Sequence, residues 1–178
     1  MGRIQNARLG ILPYRLLRWL APPSWLHWLG ARLVNQNFLL GVLGIIEDDS
    51  GRVLLFSHTY RRLAWGFPGG WMVRGESPFA ALEREVREES GLQIEARELL
   101  LVGTNTDRAK MEFVVRARVV GGAFRPSAEV DALRWFSLDE IPVTPRLQPI
   151  LERARRRGPE PVGFYTLTWR DERAADRP

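Results

Sequence analysis

The sequence predicts a layered α/β domain, and three observations carry that reading. From Phe38 onward, runs rich in Val, Leu and Ile alternate with polar turns, the pattern of strands joined by loops. Two stretches, one closing at Gly91 and one spanning residues 145–157, place apolar residues at helical spacing between start and stop signals. Strands interleaved with two or three helices pack as layers. At 178 residues the chain is long enough for one compact domain with a real core.

Residues 1–36 stand apart from that pattern. Residues 1–46 carry Arg3, Arg8, Arg15, Arg18 and Arg32, with no acid before Glu47, so the formal charge of +5 resides here. Trp19, Trp25 and Trp28 supply three of the seven tryptophans. Leu9, Leu12, Leu16 and Leu20 recur at helical spacing, Pro22-Pro23 breaks the run, and Ser24 caps a second short helix from Trp25 to Val34. The expectation is a basic, Trp-rich amphipathic helical arm, an N-terminal appendage to the domain. Three readings of it stand: a structural arm packed on the domain or on the second copy of a homodimer, a peripheral contact with an anionic membrane surface, and a cleaved targeting segment. The segment is Ser-poor for a transit peptide, and arginines and prolines interrupt any secretory h-region.

Composition excludes several chemistries. With no cysteine, the chain has no disulfide, no thiolate metal site and no Cys nucleophile. Hydrophobic content of 45% and charged content of 26% are ordinary for a globular protein. No run of about 18 apolar residues is present, so a membrane-spanning helix is not expected. A cytoplasmic location follows as the expectation, membrane-peripheral where the arm makes contact.

The domain expected over residues 37–157 opens with an apolar strand, Phe38 to Glu47. Asp48-Asp49-Ser50-Gly51 is turn chemistry, and Arg52 to Tyr60 returns as a second strand. Trp65-Gly66-Phe67-Pro68-Gly69-Gly70 leads into a loop and helix. Glu95 to Gly103 and Met111 to Val120 are two further strands, the second expected to be buried on both faces. Leu133 to Phe136 is a short strand and Ser137-Leu138-Asp139-Glu140 a helix start. A last helix spans 145–157, its arginines suiting the helix dipole. Residues 158–178 are expected to form a charged, frayed tail.

The most informative stretch is Gly70 to Leu92. Ser77 suits an N-cap, Pro78 the first helical position and Gly91 the left-handed site past the end. Phe79, Leu82 and Val86 give one apolar stripe. Beside it Glu85, Glu88 and Glu89, related by i+3 and i+4, share one arc of the helix. Like charges so placed repel by about 0.2–0.5 kcal/mol a pair. Two explanations stand: a solvated acidic face, or a site for a hard divalent cation, Mg²⁺ first and Mn²⁺ next.

The wider spacing favours the second. Gly70, five residues, Glu76, seven residues, then Arg84-Glu85-Val86-x-Glu88-Glu89-x-Gly91-Leu92 satisfies seven identities and two aliphatic positions. With each type used at roughly one in ten, chance supplies such a match about once in ten million starts. The pattern resembles the box of the Nudix (MutT-like) hydrolases at every position. That resemblance extends from about Asn37 to Arg157. It implies a Nudix fold, an α/β/α sandwich around a central curved mixed β-sheet. It also implies a Mg²⁺- or Mn²⁺-dependent pyrophosphohydrolase that cleaves the diphosphate of a nucleoside diphosphate derivative by water attack on phosphorus.

Carried over by position, the resemblance makes Glu85, Glu88, Glu89 and the Gly69 carbonyl metal ligands. Arg84 orients the glutamates, and Gly70, Glu76 and Gly91 support the box. The general base is a box glutamate such as Glu85, or Glu129 on a downstream loop before Trp135-Phe136-Ser137-Leu138. From the residues themselves, His58, Arg61 and Arg62 precede the box loop where a substrate phosphate sits, arginine suiting bidentate phosphate contacts. Trp65, Phe67 and Trp71 are candidates to stack on a base, the first two better placed in the core. Arg153, Arg155, Arg156 and Arg157 read as a solvated helix end, so nucleic acid is not an expected partner. The family's signatures for ADP-ribose, diadenosine polyphosphate, coenzyme A and NADH substrates are missing; Asp107-Arg108 and Arg108-Ala109-Lys110 stand in the first two places. Two alternatives to a soluble hydrolase are a non-catalytic nucleotide-binding or regulatory domain and a membrane-surface enzyme acting on a lipid-linked diphosphate.

Overall fold

The computed structural model describes residues 38–59, 65–105, 107–142, 144, 146–156, 158 and 160–167. The chain divides into two units after Asn37, and the described residues belong to the second. The N-terminal arm, Arg61 and Arg62 lie outside the described residues.

The elements in order are β1 (Leu39–Ile46), β2 (Val53–His58), β3 (Trp65–Gly66), β4 (Gly69–Trp71), α1 (Pro78–Ser90), β5 (Leu92–Asn105), β6 (Lys110–Gly122), β7 (Val130–Phe136), α2 (Gln148–Arg155) and β8 (Gly163–Leu167). Five strands form one sheet in the order β4-β1-β6-β5-β8, and three form a second, β3-β2-β7. The larger sheet is mixed: β1 with β6 and β5 with β8 are parallel, the other pairs antiparallel. The α/β class and the mixed sheet stand, but one expected sheet is here two.

Side-chain alternation along β1 and β2 makes the layers. Val42, Ile46, Leu54 and Phe56 join Ala81, Leu82 and Val86 of α1 in one buried cluster. Their neighbours Leu43, Ile45, Val53 and Leu55 join Ile150, Leu151 and Ala154 of α2 in the other. A strand buried on both faces has no polar alternation, hence the continuous apolar run at residues 42–46. Among the described residues, no helix is long and apolar enough to cross a membrane.

Several expectations are corrected. Phe79 is 38% exposed, and the buried face of α1 is Ala81, Leu82, Val86, Glu89 and Ser90. β5 is 14 residues long; register shifts at Gln93/Ile94, Ala96/Glu98 and Leu99/Leu101 disrupt its alternation and conceal its length. β6 buries both faces only around Val114, Val115 and Ala117, with Arg118 and Val120 exposed. Ser137–Glu140 is a closed turn, with the Ser137 amide donating to Glu140 Oε2 at 2.7 Å; Pro142 follows and α2 starts only at Gln148. The segment expected as a tail contains β8, which pairs in register with residues 101–105 of β5.

Candidate active site

Helix α1 forms where its signals place it. Ser77 Oγ accepts from the Ala80 amide at 3.2 Å, Pro78 opens the helix, and Gly91 closes it with φ 75° while donating its amide to the Arg87 carbonyl. Register on the core is set by Leu82 and Val86, which are fully buried. Glu85 and Glu89, one turn apart, therefore fall on the side that meets strand β4.

Arg84 connects helix and loop. Its Nε donates to Glu76 Oε2 at 3.1 Å and its Nη2 to Glu76 Oε1 at 2.9 Å. Nη2 also donates to the Trp71 carbonyl, and Nη1 to Glu85 Oε1 at 3.0 Å and Glu88 Oε2 at 3.1 Å. Glu76 Oε1 takes in addition the Val73 amide at 2.6 Å. Hydrogen bonds from Arg84, then from Val73, hold the Glu76 carboxyl below the usual carboxylate range. Glu76, and after it Glu85 and Glu88, push the Arg84 guanidinium still higher against the opposing effect of burial.

The cleft beside this network has a volume of about 410 Å³. Gly69, Gly70, Trp71, Glu85, Glu89 and Glu129 all line it. At Gly70 even a methyl group would collide with the Glu85 carboxyl, so the backbone approaches that side chain as only glycine permits. Glu89 is 8% exposed, and Glu129 reaches the cleft from the exposed loop before β7.

Not every expected residue joins. Glu88 does not line the cleft; its side chain is 59% exposed and meets Arg84. His58 closes β2, is 2% exposed, and does not line the cleft. Phe67 is buried as expected and forms part of the cleft wall, whereas Trp65 is 38% exposed, edge-on to Phe136 at 5.3 Å. Arg153 is 5% exposed and donates to Glu98, so it belongs to the core and not to a solvated helix end.

The cleft also holds Lys110, Glu112 and Arg146, which sequence reasoning missed. Glu112 is 8% exposed. Its Oε1 accepts from Lys110 Nζ at 3.0 Å and Arg146 Nη2 at 3.2 Å, and its Oε2 from the Tyr165 hydroxyl at 3.3 Å. Desolvation is the largest influence on Glu112 and opposes ionisation, but Arg146 and Lys110 together outweigh it and hold the carboxyl below its ordinary value. A signal existed: Lys110 and Glu112, two apart, fall on one face of a strand that is otherwise mostly apolar.

The donor chemistry fits a hard divalent cation. Glu85 and Glu89, with the backbone of Gly69 and Gly70, offer oxygen ligands on one side of the cleft. Among the described residues no three carboxylate or imidazole groups already converge as a ligand set. Arg84 contacts Glu85 through Oε1 and Glu88 through Oε2, which leaves Glu85 Oε2 outside that contact.

A family model described as NUDIX domain matches residues 37–156. The chain belongs to the NUDIX domain family. It is 34% identical over 102 residues to a MutT-like protein of Streptomyces ambofaciens, covering 57% of this chain and 66% of that one. It is also 34% identical over 124 residues to the Homo sapiens 8-oxo-dGDP phosphatase NUDT18, covering 66% of this chain and 38% of that protein. The chain thus spans under two thirds of either relative. An ADP-ribose pyrophosphatase structure from Streptococcus suis 89-1591 superposes with a TM-score of 0.58 at 28% identity, covering 71% of this chain and 98% of that one.

Proposed function

We propose that the chain is a divalent-cation-dependent pyrophosphohydrolase that cleaves nucleoside diphosphate derivatives. The observation that carries this reading is the placement of Glu85 and Glu89 in one cleft with the Gly69-Gly70 backbone, beside the Arg84–Glu76 pair. A diphosphate repels nucleophiles until its charge is offset, and a bound Mg²⁺ or Mn²⁺ supplies that offset and acidifies water. Glu85 and Glu89 are the side chains to hold the cation, with the Gly69 carbonyl as a backbone partner. Glu129, on the same cleft, takes the proton of the attacking water. Attack at one phosphorus breaks its bond to the bridging oxygen and yields a nucleoside monophosphate with either inorganic phosphate or a second phosphomonoester.

The relatives named for 8-oxo-dGDP and for ADP-ribose share a nucleoside 5′-diphosphate unit, and that unit is the substrate class we assign. The test is a panel of nucleoside diphosphates, ADP-ribose and nucleotide sugars with Mg²⁺ or Mn²⁺, read by direct phosphate release for the nucleoside diphosphates and by phosphate release after added phosphatase for the others. Cation-dependent release from at least one member is expected; silence across the panel with both metals would overturn the reading.

A further inference from the structure

The larger sheet carries a row of five register partners through its width. Trp71 on β4 faces Gly41 on β1, Gly41 faces Glu112 on β6, Glu112 faces Gly103 on β5, and Gly103 faces Tyr165 on β8. Residues paired in this way present their side chains to the same side of the sheet. Gly103 leaves a gap that the Tyr165 ring uses. A methyl at Gly41 would touch the Trp71 indole at 3.7 Å, and one at Gly103 would collide with the Tyr165 ring. Tyr165 therefore lies over Gly103, with its hydroxyl on Glu112. Trp71 is 52% exposed, with Lys110 Nζ 5.4 Å from its ring centre.

Glu112 at the centre of the row holds two cations on one oxygen. Glu112 thereby sets an ammonium and a guanidinium side by side at the cleft wall. The Lys110 and Arg146 side chains are 20% and 29% exposed, so a ligand in the cleft can reach both. Phosphate oxygens match two adjacent cationic groups in charge and as hydrogen-bond acceptors.

We propose that Lys110 and Arg146, fixed side by side by Glu112, form a phosphate subsite for the substrate's diphosphate, separate from the cation donors Glu85 and Glu89. Trp71, at the end of the same row, offers the flat base a stacking face. This deepens the diphosphatase reading and shares its cleft. Lys110 and Arg146 are binding residues; Glu112 is a positioning residue that acts through them.

The test uses the full chain and α,β-methylene-ADP, a non-cleavable diphosphate, titrated in EDTA so that no cation contributes. The wild type binds it, and Lys110→Met or Arg146→Met raises Kd by about tenfold or more, the scale of losing one charge-assisted contact. In turnover with Mg²⁺, the same variants raise KM by a similar factor and leave kcat within about threefold. Glu112→Gln also raises Kd, and adding it to the Lys110→Met, Arg146→Met double variant changes Kd little further, as expected if Glu112 acts through those two side chains. Full additivity would reduce Glu112 to a structural residue and contradict its positioning role. If the wild type hydrolyses nothing while the variants lose metal-free binding, the subsite stands and the diphosphatase reading falls. A wild type that does not bind in EDTA, or variants with wild-type Kd and KM, would overturn the subsite.

Discussion

Arg84 grips both oxygens of Glu76, Nε to Oε2 at 3.1 Å and Nη2 to Oε1 at 2.9 Å, across eight residues of sequence. The remaining Nη1 is thereby aimed at Glu85 and Glu88 on its own helix. A planar fork makes this double contact, and a lysine ammonium cannot. Arg84→Lys should therefore behave nearly as badly as Arg84→Ala. We expect each to lower kcat by about 10²-fold while costing about 1–2 kcal/mol in stability, the scale of lost charged hydrogen bonds. Steady-state kinetics beside thermal unfolding reads both effects; a lysine variant with wild-type kcat would contradict the orienting role.

Neighbouring glycines separate fold from site. Gly69 has φ 149°, and a side chain there would run into the Val42 carbonyl, which is backbone and cannot yield. At Gly70 the obstacle is the far end of Glu85, which can swing away. Gly69→Ala should lower the unfolding midpoint clearly. Gly70→Ala should leave it within a few degrees and still cost about tenfold or more in activity, through displacement of Glu85. Equal thermal losses in the two variants would contradict the assignment.

Acid should loosen the Glu112 cluster. Its carboxyl is held below the ordinary 4.5, with burial opposing ionisation and Arg146 and Lys110 favouring it more strongly. A depressed folded-state value means stability that is present above the unfolded value and lost as pH falls through the folded one. The thermal midpoint of the wild type should therefore drop more steeply than that of Glu112→Gln as pH falls from about 5 to about 3. Parallel acid limbs would show that Glu112 does not titrate with the fold.

Much of the site was legible because its signals are local. Ser77, Pro78 and Gly91 cap a helix by chain-neighbour chemistry, and the spacing from Gly70 to Leu92 fixes which carboxylates share a face. Glu129 came from the resemblance beyond the box and does line the cleft. What sequence reasoning missed depends on register between distant strands. Glu112 meets Tyr165 across 53 residues and Arg146 across 34, and no periodicity within one strand reports such a pairing. β8 escaped for the same reason: residues 163–167 become a strand by pairing with β5. The strand expected over Arg52 to Tyr60 does contain His58, but a strand alone does not report which of its side chains the packed layers bury, and His58 is buried.

The most direct measurement compares wild type, Glu85→Gln and Glu89→Gln in Mg²⁺-dependent cleavage of a nucleoside diphosphate derivative, with circular dichroism on each. Glutamine keeps size and removes the charge that holds a cation. The account predicts folded variants whose turnover falls by about 10²-fold or more, the scale of losing a group that acts in the transition state. Near-native turnover in both variants would contradict it.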